Sequence, residues 1–185
     1  MVKEKMSPEL KEILHDQSIK KLVSIIQKQA NKDTAFLISL KMEFLDKEEI
    51  EEMLYEEYSQ IIDSKLYDST RYTRVYMHAY KTLMNAVKEL NKFTKLCKNK
   101  KMEADLLALI MEYVFENYSD EFGTYYTQFD NKVAITFQRW YNVVTKKLHP
   151  DYHVEYFEDM EKYYNILKRK CDHIDRVYGL EYVFK

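Results

Sequence analysis

The sequence contains few of the residues that make turns, close loops and form cross-links. Its 185 residues include only two glycines, two prolines and two cysteines. Sheets with many tight turns and glycine-rich phosphate-binding loops both depend on glycine, so both are disfavoured. The cysteines, Cys97 and Cys171, form no Cys-x-x-Cys pair. This argues against a structural zinc site and against a thioredoxin-type redox site.

Long apolar segments and a strong net charge are also missing. The longest strongly apolar run, at 106–111, is far too short to span a bilayer. The N-terminus lacks the apolar core of a signal peptide. The formal net charge of −2 gives no global attraction to nucleic acid or to a membrane surface. We therefore expect a cytoplasmic protein in a reducing compartment, with no membrane partner.

Apolar residues at helical spacing are abundant, and they predict an all-α fold. Hydrophobic residues make up 46% of the chain and charged residues 32%, which is typical of a chain that folds. Ser7 and Pro8 have the residue types of a helix start, and Gly179 fits a helix end. The expected helices cover about 7–30, 33–44, 46–66, 70–98, 102–118, 132–148 and 155–177. The segment 117–131 is the best linker, so we predict a helical bundle over 1–120 and a helical hairpin with its tail over 121–185.

Two neighbouring helices carry opposite charge. Residues 43–63 hold nine acidic residues and one lysine, whereas residues 69–101 hold nine basic residues and one glutamate. The basic helix could bind nucleic acid, with Tyr72, Tyr76 and Tyr80 offered for stacking. Alternatively, the acidic helix packs antiparallel beside it and neutralises it, with the tyrosines in the core. We favour the second interpretation and expect nucleic-acid binding through 71–101 to be the less probable function.

The sequence offers no group of residues that predicts catalysis. It has no serine nucleophile elbow, P-loop, HExxH motif or EF-hand loop. His149 and His153 are four residues apart, but Pro150 stands between them and prevents a shared helix face. Cys171, with the adjacent aspartate and histidine, would point in different directions on a helix. We therefore expect no enzyme activity, no catalytic residue, no metal site and no cofactor.

The stretch TKKLHPDYHVEYF, at residues 145–157, lies between two amphipathic patterns. An apolar face precedes it, and a matching face follows it. These faces consist of Phe137, Tyr141, Val144 and Leu148 upstream and of Phe157, Met160, Tyr164 and Leu167 downstream. Two such helices form an antiparallel hairpin. His149, Pro150 and Asp151 would be exposed at its tip, with Arg139, Lys146 and Lys147 on a basic flank.

The segment from about 132 to 175 resembles the J domain of DnaJ-type co-chaperones. That family carries a tyrosine eight residues before the histidine of its His-Pro-Asp motif, where this chain has Tyr141. A lysine pair matches Lys146 and Lys147. After the motif, family members often read FKEINEAYEVL, and residues 157–167 here read FEDMEKYYNIL. The connection before Phe157 is shorter than usual, and Tyr152 stands where the family commonly has a basic residue.

The resemblance implies that the protein recruits a DnaK-type chaperone and stimulates its ATP hydrolysis. His149, Pro150 and Asp151 would form the essential contact, and Lys146, Lys147 and Arg139 would face an acidic chaperone surface. The N-terminal bundle would then bind an unidentified client or partner protein. Alternatively, the chain is a helical adaptor or assembly protein in which the hairpin is only structural. Its seventeen tyrosines and nine phenylalanines support that alternative, since aromatic residues are enriched at interfaces.

Overall fold

A computed structural model describes residues 6–67, 75–125, 127–171 and 174–180. Helices and short 3-10 turns form all of the regular structure in these ranges, and no strand occurs among them. The predicted all-α fold is therefore confirmed for the described residues. No helix in these ranges is long and apolar enough to cross a bilayer. The chain divides into two compact units, Met1–Ile50 and Glu51–Lys185.

The first unit contains three short helices and the start of a fourth. They are α1 (Pro8–His15), α2 (Ile19–Ala30), α3 (Thr34–Phe44) and the first turn of α4 (Lys47–Leu66). Three of these four helices begin at a residue whose side chain caps the helix, because the first backbone N–H groups of a helix need acceptors. The Ser7 hydroxyl accepts from the Leu10 N–H, and carboxylates of Asp33 and Asp46 cap α3 and α4 in the same way.

The sequence predicted one helix over 7–30, and the structure divides it. Helix α1 ends at the C-cap residue Asp16, and α2 begins after Ser18, whose extended backbone places it at the N-cap. Aspartate and serine favour such boundaries because their side chains compete for backbone hydrogen bonds. The apolar periodicity continues on both sides of the break, which is why it predicts a single helix.

The second unit is an up-and-down helical bundle. It consists of α4 from Glu51 onward, α5 (Val75–Leu96), α6 (Lys100–Asn117), α7 (Thr127–Lys147), α8 (Val154–Lys170) and the short α9 (Asp175–Leu180). Two 3-10 turns, Ser119–Glu121 and Pro150–Tyr152, precede α7 and α8. The predicted start of α5 near residue 70 and the stacking residue Tyr72 lie outside the described residues.

Long-range contacts fix the antiparallel order of α5, α6 and α7. His78 near the start of α5 contacts Tyr118 just after the end of α6, with 2.7 Å between Nδ1 and the phenol oxygen. Arg139 in the C-terminal half of α7 contacts Glu103 near the start of α6. The large buried side chains come mainly from these three helices: Phe93, Leu83, Leu90, Leu106, Leu107, Ile110, Phe129, Phe137 and Trp140. Packing of this core, more than helix propensity, holds the second unit together.

Helix α4 lies against α5 in antiparallel order. Asn99, just after α5, donates to the Glu51 carboxylate at 2.9 Å. Further along α4, Tyr58 packs on Phe93, with ring centroids 5.8 Å apart. The acidic and basic segments are therefore neighbours, as the favoured interpretation expects, and a contact between the half-buried ring of Tyr58 and the buried ring of Phe93 joins them in addition to the Asn99–Glu51 hydrogen bond.

The predicted division at residue 120 differs from the way the chain packs. Helices α6 and α7, one from each side of that position, are the most closely associated pair in the second unit. The connection between them is itself tied down, since Lys170 of α8 donates from Nζ to the Ser119 carbonyl at 2.6 Å. The hairpin predicted over 121–185 thus shares one core with α5 and α6.

Gly123, rather than Gly179, is the glycine with a conformational role. Gly123 has a φ of 73°, and a Cβ there would lie 2.1 Å from the Lys170 carbonyl oxygen. Its N–H donates to the buried Asp130 carboxylate at 3.2 Å. Gly179 was expected to end a helix at about 177, but it lies within α9. Chain reversal before α7 requires the left-handed conformation that glycine adopts without strain.

Candidate partner-binding turn

The His149–Pro150–Asp151 turn joins two antiparallel helices. Helix α7 ends at Lys147, and α8 begins at Val154. Between them, Tyr152 N–H donates to the His149 carbonyl and His153 N–H donates to the Pro150 carbonyl, both at 3.0 Å. Pro150 occupies the first position of the 3-10 turn, where its missing N–H costs nothing and its fixed φ suits the geometry. The turn is therefore short and internally hydrogen-bonded.

The two polar side chains of this turn are exposed to solvent. The side chain of His149 is 69% exposed and that of Asp151 is 86% exposed, and His149 Nδ1 lies 3.2 Å from Asp151 Oδ2. The same nitrogen lies 3.5 Å from the Asp151 backbone N–H, a long hydrogen bond. The two contacts are alternatives, because Nδ1 accepts only when unprotonated and donates to the carboxylate only when protonated. A partner can reach both side chains without rearrangement of the helices.

Lys146 and Lys147 lie at the exposed C-terminal end of α7, next to this turn. Cations are favourable there because the last carbonyl groups of a helix carry partial negative charge. Together with His149, Pro150 and Asp151 they form one surface, which we call the HPD tip. Five of the six residues predicted to bind a partner therefore come together.

Arg139, the sixth, is half-buried and engaged by side chains of the neighbouring helices. It lies about 12 Å along α7 from the end of the helix, given a rise of about 1.5 Å per residue. Its guanidinium donates from Nη2 to Glu103 Oε1 at 2.7 Å and from Nη1 to Asn91 Oδ1 at 2.6 Å. These contacts join α5, α6 and α7. Participation of Arg139 in partner binding stays a prediction, and most of its hydrogen-bonding capacity is used internally.

Glu103 is the centre of this ion cluster. Its side chain is only 6% exposed, and Lys100 Nζ also contacts it at 2.6 Å. Burial alone would raise the pKa of the Glu103 carboxyl, but the hydrogen bonds from Lys100 and Arg139 outweigh burial and lower it. The carboxylate is thus held ionised within the bundle, which is the condition under which a buried charge is tolerated.

A second cluster, which the sequence did not predict, lies where α8 begins. Lys101 of α6 contacts Asp105 at 2.8 Å and Glu155 at 2.7 Å. The Tyr156 hydroxyl donates to Asp105 Oδ1 at 2.6 Å, and the Lys101 ammonium lies 5.0 Å from the centre of the Tyr156 ring. We call Lys101, Asp105, Glu155 and Tyr156 the α8 anchor. Lys101 and Glu155 are too far apart in sequence for any spacing rule to pair them.

The apolar faces predicted for the hairpin are partly those observed. Phe137 and Val144 on α7 and Met160 and Leu167 on α8 are fully buried. Phe157 was expected on the same face, but it is 42% exposed. The core side chains that pattern reading missed are Trp140, Tyr156 and Tyr163. Trp140 contacts both tyrosines, so on the buried face of α8 Tyr156 replaces Phe157 and Tyr163 is added, while the other predicted positions are buried as expected.

The basic segment proposed as a nucleic-acid surface is only partly available. Residues 71–74 lie outside the described residues. Lys100 and Lys101 both contact carboxylates of the bundle, and Tyr76 and Tyr80 are half-buried. These contacts reduce the positive charge that the segment can offer to phosphates.

Comparison of the chain with protein-family models, with curated proteins and with solved structures finds no match. The resemblance to the J domain therefore rests on the residues of the hairpin alone.

Proposed function

We propose that this protein is a non-enzymatic co-chaperone-like adaptor that recruits a DnaK-type chaperone through the HPD tip. The observation that carries the proposal is the exposure of His149 and Asp151 at the turn between two antiparallel helices. Helices α7 and α8 bury apolar faces in the core of the second unit, so the HPD tip is exposed at the turn between two packed helices. The first unit would contact the client or partner protein.

The charges of the HPD tip suit an acidic partner surface that also offers a cation. Lys146 and Lys147 would steer the approach and contact acidic side chains, and the Asp151 carboxylate would accept hydrogen bonds from an arginine or lysine of the chaperone. Pro150 limits the conformations of the unbound turn, so less entropy is lost on binding. In this proposal the protein carries out no chemistry and needs no metal or cofactor, and ATP is hydrolysed by the chaperone.

Single-turnover ATP hydrolysis by a DnaK-type chaperone, with and without this protein, tests the proposal. Wild-type protein should accelerate hydrolysis, and His149→Gln and Asp151→Asn should each reduce the acceleration about tenfold or more, as loss of a central contact does. His15→Gln, at an exposed histidine of α1, is the matched control and should retain it. If wild type and His149→Gln are equally inactive with the cognate chaperone, the proposal fails.

A second candidate function is that of a helical assembly protein, and the apolar surface of the first unit favours it. Ile19 is 80% exposed, Phe44 77% and Leu45 61%. Such side chains mark an interaction site where they lie together in one patch. Sedimentation velocity over a hundredfold range of concentration addresses it directly. Self-association is expected, and a strict monomer throughout the range would contradict this alternative.

A further inference from the structure

Lys101 makes contacts on both sides of the junction between the HPD tip and α8. Its ammonium lies 2.7 Å from Glu155 in the first turn of α8, and 5.9 Å from the ring centre of Tyr152, the last residue of the 3-10 turn. It also lies 5.0 Å from the ring centre of Tyr156. A cation over an aromatic face at these distances is attracted by the ring. One side chain of α6 thus touches three residues within the five that follow Asp151.

The position of Lys101 is itself fixed. Asn99 caps α6, and its Oδ1 accepts from the Lys101 N–H at 3.1 Å. Asp105, one turn further along α6, contacts the same ammonium at 2.8 Å. Asp105 also accepts from the Tyr156 hydroxyl. The α8 anchor is therefore a closed cluster in which Lys101 has partners on α6 and on α8.

The charge on Lys101 is needed to hold this cluster together. Burial would lower the pKa of the ammonium, but hydrogen bonds with Asp105, Glu155 and Tyr156 outweigh burial and raise it. Lys101 therefore stays charged throughout the physiological range. Without it, the carboxylates of Asp105 and Glu155 would face each other with no cation between them.

We propose that Lys101 is a positioning residue. It holds the segment that follows the HPD tip in place by anchoring Tyr152, Glu155 and Tyr156 to α6. This proposal rests on the proposed function only for its effect on partner binding. It also accounts for the aromatic residue at 152, where J domains commonly have a basic one. A second cation at that position would lie beside the Lys101 ammonium, whereas a tyrosine ring attracts it.

Hydrogen exchange of the full chain, measured by mass spectrometry, tests the positioning role. Lys101→Met should speed amide exchange across residues 149–157 by about fivefold to tenfold, because local opening follows the loss of local contacts. Lys101→Arg, which keeps the charge, should stay within about twofold of wild type. Lys95→Met removes an exposed lysine of α5 and is the matched control, with no change expected. Exchange in residues 83–90 of the core should be unaffected by all three.

Two results would overturn the positioning role: unchanged exchange across 149–157 in Lys101→Met, or a rise of equal size in 83–90, which would indicate general destabilisation. If Lys101→Met does not fold, Glu155→Gln removes only the ion pair between Lys101 and Glu155 and leaves the Tyr156 contacts in place. Glu155→Gln should raise amide exchange across residues 149–157 by a smaller factor than Lys101→Met. The absence of any rise would also overturn the positioning role. The ATPase assay separates the two proposals. A local rise in exchange with no chaperone stimulation by wild type would retain the positioning role and contradict the proposed function.

Discussion

The two compact units differ in how their helices are stabilised. In the second unit, large side chains such as Trp140, Phe93 and Leu107 are fully buried. In the described part of the first unit the buried apolar residues are Ala30, Ile38 and Ile50, whereas Ile19 and Phe44 are largely exposed. The first unit therefore depends more on capping and local propensity, and the second on tertiary packing. One all-α chain thus contains two kinds of helix, and their helical periodicity alone does not separate them.

The largest effect should come from emptying the core of the second unit. Trp140 is 1% exposed, and its ring packs edge-on against Phe137 and Tyr156. Trp140→Ala should lower the free energy of unfolding by about 3–5 kcal/mol, because a large buried ring leaves a cavity. Urea unfolding followed by far-ultraviolet circular dichroism measures this loss.

The matched change in the first unit is Ile19→Ala. Because this isoleucine is 80% exposed, its truncation should change the free energy of unfolding by no more than about 0.5 kcal/mol. Losses of similar size at Trp140 and Ile19 would show that the two units do not differ in the way described.

A smaller effect is expected from the ion cluster of the second unit. Glu103→Gln leaves Arg139 and Lys100 without their shared carboxylate, which should cost about 1–3 kcal/mol at neutral pH. The folded-state pKa of Glu103 lies below the ordinary value of 4.5. Its contribution to stability is therefore present above that value and is lost as pH falls through the folded-state pKa.

Urea midpoints at pH 7 and at pH 3.5 check this linkage. The decrease between the two should be smaller in Glu103→Gln than in wild type. Glu116→Gln, at an exposed glutamate of the same helix, should leave the decrease unchanged. An equal decrease in wild type and Glu103→Gln would show that the cluster does not contribute to acid sensitivity.

A smaller effect than that of the ion cluster should come from a cap in the first unit. Asp33 accepts from the Phe36 N–H at 3.1 Å. Asp33→Ala should destabilise α3 by about 1 kcal/mol, so amide exchange within Thr34–Phe44 should rise about fivefold. Asp33→Asn keeps a capping oxygen and should retain most of the protection. If the alanine and asparagine variants exchange equally fast, capping is not what sets the stability of this helix.

Local features of the fold could be predicted from the sequence, because their causes are local. The cap at Ser7 and the helix stop at Pro150 depend on residues within one helical turn. The seam of α5 through Leu83, Val87 and Leu90 follows from their spacing alone. Exposure of the HPD triplet also follows locally, because a proline-stopped helix followed by a short turn leaves few contacts for that turn.

Features that depend on distant partners could not be predicted. Arg139 has the spacing of a surface cation, and only the fold brings Glu103 to it from 36 residues away. The sequence does not distinguish Lys101 from the other basic residues of its segment, because only the fold brings Glu155 beside it. The choice between Tyr156 and Phe157 is similar. Both are aromatic and adjacent, and the contacts of Tyr156 with Trp140 of α7 and Asp105 of α6 decide which one is buried.

Trp140 gives the protein a built-in optical probe. It is the only tryptophan of the chain, and it lies in the second unit within 6.3 Å, between ring centres, of Tyr156 and Tyr163. Light absorbed by these tyrosines should transfer to the indole and be emitted there, while the first unit has no indole of its own. Emission therefore reports on the packing of α7 against α8. Disruption of the α8 anchor at Tyr156 should change the wavelength and intensity of the Trp140 emission. Unfolding of α2 or α3 alone should leave both unchanged.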